Sequence, residues 1–197
     1  MKLLNKAYLR AKTIKLIIFD VDGVLTDGGL YFSDEGIELK RFNSLDGLGI
    51  KLLKQNGVEP AVISARDTPN VAHRMKNLGI EHFYQGQSDK LIAFNELLEK
   101  LSLNAEQVAY VGDDIIDLPV MRNIGLPIAV ANAHELVKDN ACLITDKRGG
   151  HGAVREACDF ILKAQDNYDS AMSAYLVWQI FKDFATKHLK LTYHLAQ

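Results

Sequence analysis

The sequence has little cysteine, almost no net charge and no long apolar run, and each shortage excludes a class of protein. Cys142 and Cys158 are its only cysteines and form no C-x-x-C pair, which predicts reduced structural thiols in a cytoplasmic protein. A formal net charge of −2 offers no general surface for nucleic acid. No apolar run reaches the ~18 residues of a membrane span, and charges interrupt the leucines near the amino terminus. We therefore expect neither membrane insertion nor a signal peptide.

Strands and helices alternate along the 197 residues, and no internal repeat interrupts them. This alternation predicts an α/β fold, a Rossmann-like parallel sheet with helices on both faces and right-handed crossovers. The predicted strands cover residues 14–19, 61–63, 82–84, 108–111, 128–130 and 142–144. Helices are predicted over residues 3–11, 135–137 and 153–163 and near Val120. Three more are predicted from their end signals: the first is capped by Asp46 and ends near Gly57, the second runs from Pro69 and is closed by Gly79, and the third is opened by Ser88.

Two parts of the chain lie outside this alternation. Leu30–Phe32 and Ile37–Phe42 flank turn residues and predict a small β-hairpin. Residues 166–190 carry apolar side chains at helical spacing, which predicts a final helix that packs on the same domain or contacts another subunit. We therefore expect one domain over residues 1–165 and a helical extension over residues 166–197.

The stretch FDVDGVLTDG, residues 19–28, places two carboxylates at the end of a buried strand. Burying Asp20 and Asp22 is costly unless a cation or hydrogen bonds receive them. Ser64 and Asp113 end later strands, so a parallel sheet brings all four residues to one edge, where open α/β sheets bind ligands. A plain loop with a capping aspartate and a turn glycine is the alternative interpretation.

Asp113, Asp114 and Asp117 add further negative charge at this edge. Like charges this close raise one another's pKa unless a cation neutralises them. Carboxylate oxygens suit a hard cation, and Mg²⁺ binds through a few carboxylates plus a substrate phosphate. No histidine or cysteine lies in these motifs to favour zinc. The sequence thus predicts a Mg²⁺ site, although Asp114 or Asp117 alone equally fits an acidic loop facing water.

The same residues have the chemistry for phosphoryl transfer. A carboxylate can attack phosphorus and form an acyl phosphate, provided that the phosphoryl oxygens are neutralised. Lys90 and the Ser64 hydroxyl can meet those oxygens, and a second aspartate can protonate the leaving alkoxide. Taken singly, Lys90 also fits a solvated lysine, and Ser64 also fits a capping hydroxyl.

The order D-x-D-G-V-L-T-D, strand-end serine, lysine and G-D-D-x-x-D resembles the haloacid dehalogenase superfamily. The two aspartates of the first motif are similar to those of its phosphatases and phosphomutases. The resemblance implies that Asp20 is the nucleophile and a Mg²⁺ ligand. It implies that Asp22 is the general acid/base and also a Mg²⁺ ligand through its backbone carbonyl. Asp113 is implied as the third ligand, with Asp117 or Asp114 acting through water.

Three longer stretches resemble the phosphatases of 3-deoxy-D-manno-octulosonate 8-phosphate (KDO 8-phosphate), whose product serves lipopolysaccharide biosynthesis. They are YQGQSDKLIAF, YVGDDIIDLPVM and RGGHGAVREACDFIL, at residues 84–94, 110–121 and 148–162. The chain departs from that family at Ser64-Ala65-Arg66, where T-G-R is usual. The serine keeps the hydroxyl, whereas Ala65 lacks the backbone freedom of glycine. A phosphatase for a nine-carbon sialic-acid-type sugar phosphate and a non-catalytic regulatory or scaffold module are the alternatives.

Basic residues near the predicted site suit an acidic sugar phosphate. Arg66 and Arg74 are placed to clamp a carboxylate at the far end of such a substrate, although Arg74 alone also fits a solvated helix. Arg148 and His151 lie in a glycine-rich loop that can close over the substrate. These four residues are therefore predicted to bind substrate, together with Asp22.

The spacing of the motifs leaves no room for a large cap domain. Only 25 residues, positions 65 to 89, separate Ser64 from Lys90. A small phosphate ester nevertheless needs water excluded during reaction. We expect a neighbouring subunit to close the site, and the resemblance implies a homotetramer built around the hairpins.

Overall fold

Residues 2–176 are described by the computed structural model, in which a parallel sheet forms the centre. The strands are β1 (Leu16–Phe19), β2 (Tyr31–Phe32), β3 (Glu38–Leu39), β4 (Glu59–Ile63), β5 (His82–Tyr84), β6 (Val108–Gly112), β7 (Leu126–Ala129) and β8 (Leu143–Ile144). Six of them form one parallel sheet in the order β5-β4-β1-β6-β7-β8. The other two, β2 and β3, form a separate antiparallel hairpin.

Helices cover both faces of the sheet, as predicted. They are α1 (Lys2–Ala11), α2 (Ser44–Gln55), α3 (Pro69–Leu78), α4 (Lys90–Leu101), α5 (Leu118–Met121), α6 (Glu135–Asp139) and α7 (Ala153–Ala164). α2 packs against α7, which also contacts α1, whereas α4 packs against α5. Right-handed crossovers place α2 and α3 on one face and α4 to α6 on the other. The predicted Rossmann-like α/β fold is therefore confirmed.

Strand β1 lies in the middle of the sheet because its whole sequence is apolar. All four of its residues are completely buried, and burying an apolar side chain of this size stabilises the fold by roughly 1.5–3 kcal/mol. Phe19, at its end, pairs with Val62 of β4 on one side and Val111 of β6 on the other. The strand order reverses between β1 and β6, so the ligand-binding switch point of such sheets lies directly after Phe19.

The start of α2 differs from the prediction. Asn43, not Asp46, caps this helix, with its Oδ1 atom accepting a hydrogen bond from the Leu45 N–H at 2.9 Å. Asp46 lies buried in the first turn, and burial raises the pKa of its carboxyl group. Its Oδ1 atom accepts the Arg155 N–H at 2.8 Å. Asp46 therefore ties α2 to the first turn of α7 instead of capping its own helix.

The ends of α3 and α4 follow the expected capping chemistry more closely. Pro69 opens α3 after Thr68, and Gly79 ends it in the left-handed conformation at φ +72°, as predicted. At α4 the prediction was one residue early, because the side chain of Asp89 rather than Ser88 accepts the first N–H.

Within residues 2–176 the hairpin β2–β3 is the only insertion between the first two motifs, and no large cap domain is present, as predicted. Residues 168–176 are helical, whereas residues 177–190 of the predicted final helix lie outside the described residues. The predicted boundary after residue 165 stays a prediction. Among the described helices none has the length and apolar character that crossing a bilayer requires.

Candidate active site

The turn that follows β1 brings backbone and carboxylate groups close together. Gly23 has φ +94°, and a Cβ atom there would lie 2.0 Å from Oδ2 of Asp113. The Thr26 hydroxyl accepts the Gly23 N–H and donates to the Val21 carbonyl, both at 3.3 Å. Only glycine permits this backbone conformation and this close approach. The D-x-D-G sequence therefore lets β6 deliver its aspartate next to the end of β1.

Three carboxylates meet at this edge of the sheet. Asp20, Asp113 and Asp117 each place one oxygen within 4.8 Å of the others. Asp20 follows β1, Asp113 follows β6, and Asp117 lies one turn later in a 3₁₀-helix that the Asp114 side chain caps. Asp114 itself is exposed, so the structure brings Asp117 rather than Asp114 into the cluster.

Lys90 supplies the positive charge of the cluster from the first turn of α4. Its Nζ atom donates to Asp20 at 2.5 Å and to Asp117 at 2.7 Å, and its side chain is 1% exposed. Burial would by itself lower the pKa of Lys90, but the attraction of Asp20 and Asp117 outweighs it and raises that pKa. The ammonium group therefore stays charged, and the solvated-lysine interpretation does not apply.

Tyr110, in the middle of β6, is a further member of this network. Its hydroxyl donates to Oδ1 of Asp117 at 2.7 Å and accepts from Lys90 at 3.1 Å. Burial raises the pKa of Tyr110 well above its ordinary value, so the phenol remains protonated. The second oxygen of Asp117 accepts the Asp113 N–H at 3.0 Å. Asp117 is thus held rigidly on both oxygens.

The cluster has more carboxyl groups than its single lysine can neutralise. Burial raises the pKa of Asp20 to about 7, although Lys90 opposes the shift. Burial, followed by repulsion from Asp20 and Asp117, raises the pKa of Asp113 to about 8. Once all three carboxyl groups are ionised, the one ammonium leaves two negative charges uncompensated among ligands that are all oxygen atoms. This donor set fits a divalent hard cation such as Mg²⁺.

Asp22 takes part in a different network. The ammonium of Lys40, the residue directly after β3, donates to Oδ1 of Asp22 and also pairs with Glu38 at 3.0 Å. Arg66 donates to the other oxygen of Glu38 at 2.7 Å. The side chain of Asp22 is therefore oriented by the hairpin and does not join the three-carboxylate cluster.

The glycine-rich loop, residues 148–152, packs directly on the turn after β1. A Cβ atom on Gly149 would lie 1.6 Å from the carbonyl oxygen of Gly23. Gly150 donates its N–H to the Val24 carbonyl at 2.9 Å. This loop therefore holds in place the backbone that carries Asp20 and Asp22.

The remaining predicted residues lie around this centre. Ser64 follows β4 at the same edge, and its hydroxyl accepts the Arg66 N–H at 3.2 Å. Arg74 donates to the Asn43 carbonyl at 3.2 Å, where α3 contacts the chain leaving the hairpin. The structure thus places Arg66 and Arg74 along one side of the hairpin.

The two basic residues of the glycine-rich loop lie at the surface. Arg148 and His151 are exposed, and Nε2 of His151 lies 3.1 Å from Nη1 of Arg41 in the hairpin arm. The four predicted substrate-binding side chains, from Arg66 to His151, therefore surround the hairpin instead of converging on a single point.

Three residues of these networks were not predicted from the sequence, namely Lys40, Glu38 and Tyr110. Glu38 and Lys40 alternate with exposed Leu39, and the period of two places them on one face of the strand. Tyr110 is the one polar side chain in an apolar strand, and a buried tyrosine hydroxyl needs a partner. Both signals were present in the sequence, but neither identifies the partner.

Comparison with known proteins finds similar chains over most of the sequence. A sequence profile described as haloacid dehalogenase-like hydrolase matches residues 82–157. The KDO 8-phosphate phosphatase KdsC of Salmonella typhi is 52% identical over 162 residues, which cover 82% of this chain and 86% of the relative.

Two solved structures are similar over most of the chain. The KDO 8-phosphate phosphatase of Yersinia pestis superposes with a TM-score of 0.83 at 50% identity, covering 84% of this chain and 89% of the other. The enzyme of Moraxella catarrhalis, in complex with a magnesium ion, a phosphate ion and a KDO molecule, superposes with a TM-score of 0.85 at 46% identity. That match covers 87% of this chain and 98% of the other.

The fold and the site together define a phosphoric monoester hydrolase of the haloacid dehalogenase type, without a large cap. Within that class, the chain belongs to the family of the KDO 8-phosphate phosphatases KdsC. The predicted superfamily and the predicted enzyme class are confirmed.

Proposed function

We propose that this enzyme is a Mg²⁺-dependent phosphatase that hydrolyses KDO 8-phosphate to KDO and inorganic phosphate. It would act in the cytoplasm, in lipopolysaccharide biosynthesis. The observation that carries the proposal is the cluster of Asp20, Asp113 and Asp117 around Lys90, at the switch point of a chain so similar to named KDO 8-phosphate phosphatases. Residues 1–165 would form the catalytic domain and residues 166–197 an extension.

Asp20 is the nucleophile in this mechanism. One oxygen of its carboxylate attacks phosphorus, and the bond between phosphorus and the sugar oxygen breaks. The electron pair of that bond leaves on the sugar oxygen, which takes a proton from Asp22. A water molecule that gives its proton to Asp22 then attacks the aspartyl phosphate, which releases inorganic phosphate and regenerates Asp20.

Other residues of the chain hold the reacting groups. Lys90 orients Asp20 and offers positive charge to the phosphoryl oxygens, and the Ser64 hydroxyl offers a hydrogen bond. Asp20, Asp113, Asp117 and the backbone carbonyl of Asp22 would hold the metal ion. When bound, Mg²⁺ supplies positive charge that neutralises the phosphate and lets the anionic nucleophile approach it.

The sugar acid would be bound around the hairpin. Arg66 and Arg74 lie on the α3 side of this element, and Arg148 and His151 lie on the side of the glycine-rich loop. Guanidinium groups bind carboxylates in a bidentate manner. A substrate carboxylate reaching Arg66 would replace its present partner, Glu38.

The hairpin also supports the proposed homotetramer. Its apolar residues are exposed, from 45% for Tyr31 to 61% for Phe32, with Leu30, Ile37 and Leu39 between these values. An apolar patch of this kind marks a contact with another protein surface. Neighbouring subunits that pack on the hairpins would close the site against water, which a capless phosphatase requires.

A panel of phosphate esters tests the assignment. KDO 8-phosphate should be hydrolysed with a kcat/KM well above those of hexose 6-phosphates and of nine-carbon sialic-acid-type sugar phosphates. Activity should disappear in EDTA and return with MgCl₂. A preference for neutral hexose phosphates would exclude an acidic sugar, and a preference for the nine-carbon ester would select the alternative substrate.

A further inference from the structure

Lys40 is a buried cation that the proposed mechanism does not use. Its side chain is 1% exposed, yet it comes from a hairpin whose neighbouring side chains point to solvent. An ammonium group buried this deeply is costly unless anions receive it. Two carboxylates do so, Asp22 on one side and Glu38 on the other.

Glu38 is itself held from α3 and the chain before it. Arg66 donates to its second carboxylate oxygen at 2.7 Å, and Asn70 donates its side-chain amide to the Glu38 carbonyl at 2.5 Å. The chain of contacts therefore runs from α3 through Glu38 and Lys40 to Asp22. Asp22 is thus held through the hairpin, whereas Asp20 and Asp117 are held by Lys90.

We infer that Lys40 is the positioning residue for the acid/base carboxylate, which it holds apart from the metal cluster and aimed at the leaving oxygen of the substrate. This inference rests on the proposed role of Asp22 as the acid. Within residues 2–176 the Lys40 ammonium is the one described side chain that binds the Asp22 carboxylate, so its removal leaves that carboxylate without a fixed orientation. Lys40 acts through Asp22 and does not touch the phosphoryl group.

The dependence of kcat on the leaving group of the substrate distinguishes this positioning role from simple structural support of the hairpin. A p-nitrophenolate leaves readily without a proton, phenolate less readily, and the alkoxide of a sugar hardly at all. Only the acid function of Asp22 is sensitive to this difference. A variant that merely loosens the fold loses activity on all three esters alike.

The test compares Lys40→Met with wild-type enzyme on p-nitrophenyl phosphate, phenyl phosphate and KDO 8-phosphate at saturating Mg²⁺. We expect kcat to change less than about threefold for p-nitrophenyl phosphate and to fall by about 10–100-fold for the sugar ester, with phenyl phosphate between them. Lys40→Arg keeps the charge and should recover part of the loss. Circular dichroism and light scattering confirm that fold and assembly are retained.

Two further variants make the result specific. Asp22→Asn should show the same dependence on leaving group, and the double variant Asp22→Asn/Lys40→Met should be no slower than Asp22→Asn. Lys54→Met is the matched control, because Lys54 also bridges two glutamates, each at 3.2 Å, but far from the site. It should leave all three rates unchanged.

Equal losses on the three esters, or additive losses in the double variant, would overturn the positioning role. Failure of the wild-type enzyme to hydrolyse KDO 8-phosphate would instead overturn the proposed substrate. The two aryl esters would still decide the role of Lys40 in that case.

Discussion

Asp20 is the residue on which the proposed chemistry depends most directly. Asp20→Asn should abolish turnover while the protein stays folded, because an amide cannot attack phosphorus but can still accept the hydrogen bond from Lys90. Asp22→Asn should lower the rate by roughly 10²–10⁴, the usual contribution of a positioned acid. Initial rates with KDO 8-phosphate measure both effects. Near-normal activity of Asp20→Asn, with deamidation excluded by mass spectrometry, would contradict the role of the nucleophile.

The raised pKa values of Asp20 and Asp113 make stability and metal binding depend on pH. Burial raises them to about 7 and about 8, from 3.8, so the metal-free folded protein holds these protons more tightly than the unfolded chain. Their contribution to stability is complete below about pH 4 and is lost as the pH rises through these values. Mg²⁺ competes with these protons for the carboxylates. The increase in melting temperature that Mg²⁺ causes should therefore be larger at about pH 9 than at about pH 6.

Thermal unfolding in EDTA and in saturating MgCl₂ at each pH measures this effect. In Asp113→Asn one of the two titrating carboxylates is absent, so the dependence on pH should become weaker. An increase in melting temperature that is independent of pH, or that is largest at pH 6, would contradict the assignment of these carboxylates to the metal.

At the scale of the elements, the glycine-rich loop and the turn after β1 are in direct backbone contact. Gly149→Ala places a methyl group where the Gly23 carbonyl now lies, so one of the two segments must move. We expect kcat to fall at least about tenfold, since small displacements of reacting groups have large kinetic effects, while the sheet stays intact. Gly29→Ala is the control, because the atoms nearest to its methyl group, at 2.9 Å, belong to the exposed side chain of Tyr31 and not to backbone.

Activity assays and near-ultraviolet circular dichroism on both variants check this prediction. Unchanged kcat in Gly149→Ala would show that the loop does not determine the position of the nucleophile. A comparable loss in Gly29→Ala would point to a general sensitivity of the hairpin base instead.

The elements that carry the cluster could be predicted because their signals are local. An apolar run ending in Asp20, and another ending before Asp113, identify buried strands, and parallel strands share one carboxyl edge. The start of α2 could not be predicted in the same way, since Asn43 and Asp46 are both good capping residues. Packing against α7 decided between them, and that contact is distant in sequence.

The role of the hairpin was predictable only in part. Turn residues between two apolar segments indicate the hairpin itself, but its strands are shorter than the apolar segments because little of the hairpin is paired or buried. Lys40 reaches Asp22 because the hairpin folds back over the turn after β1. The alternation of side chains along the strand does not specify which way the hairpin folds back, because tertiary packing determines that direction.

At the scale of the whole molecule, the exposed apolar side chains of the hairpin predict assembly. The double variant Phe32→Ser/Leu39→Ser removes two of them, which are 61% and 54% exposed, and should convert the proposed tetramer into smaller species. Leu9→Ser is the control, because Leu9 is 67% exposed on α1 and away from the hairpin. Multi-angle light scattering measures the mass of each protein. A monomeric wild-type enzyme with full activity would refute the tetramer.

The pairing of β1 with β6 also has a consequence for biosynthesis of the enzyme. Leu16 pairs with Val108, so the first strand leaves the ribosome long before the neighbour that completes its burial. Non-local parallel pairing is slow, and an apolar strand without its partner is prone to aggregate. The nascent chain has no place for a cation until Asp113 and Asp117 have been synthesised. A cation at this site could therefore not guide the folding of the segments that are synthesised before Asp113.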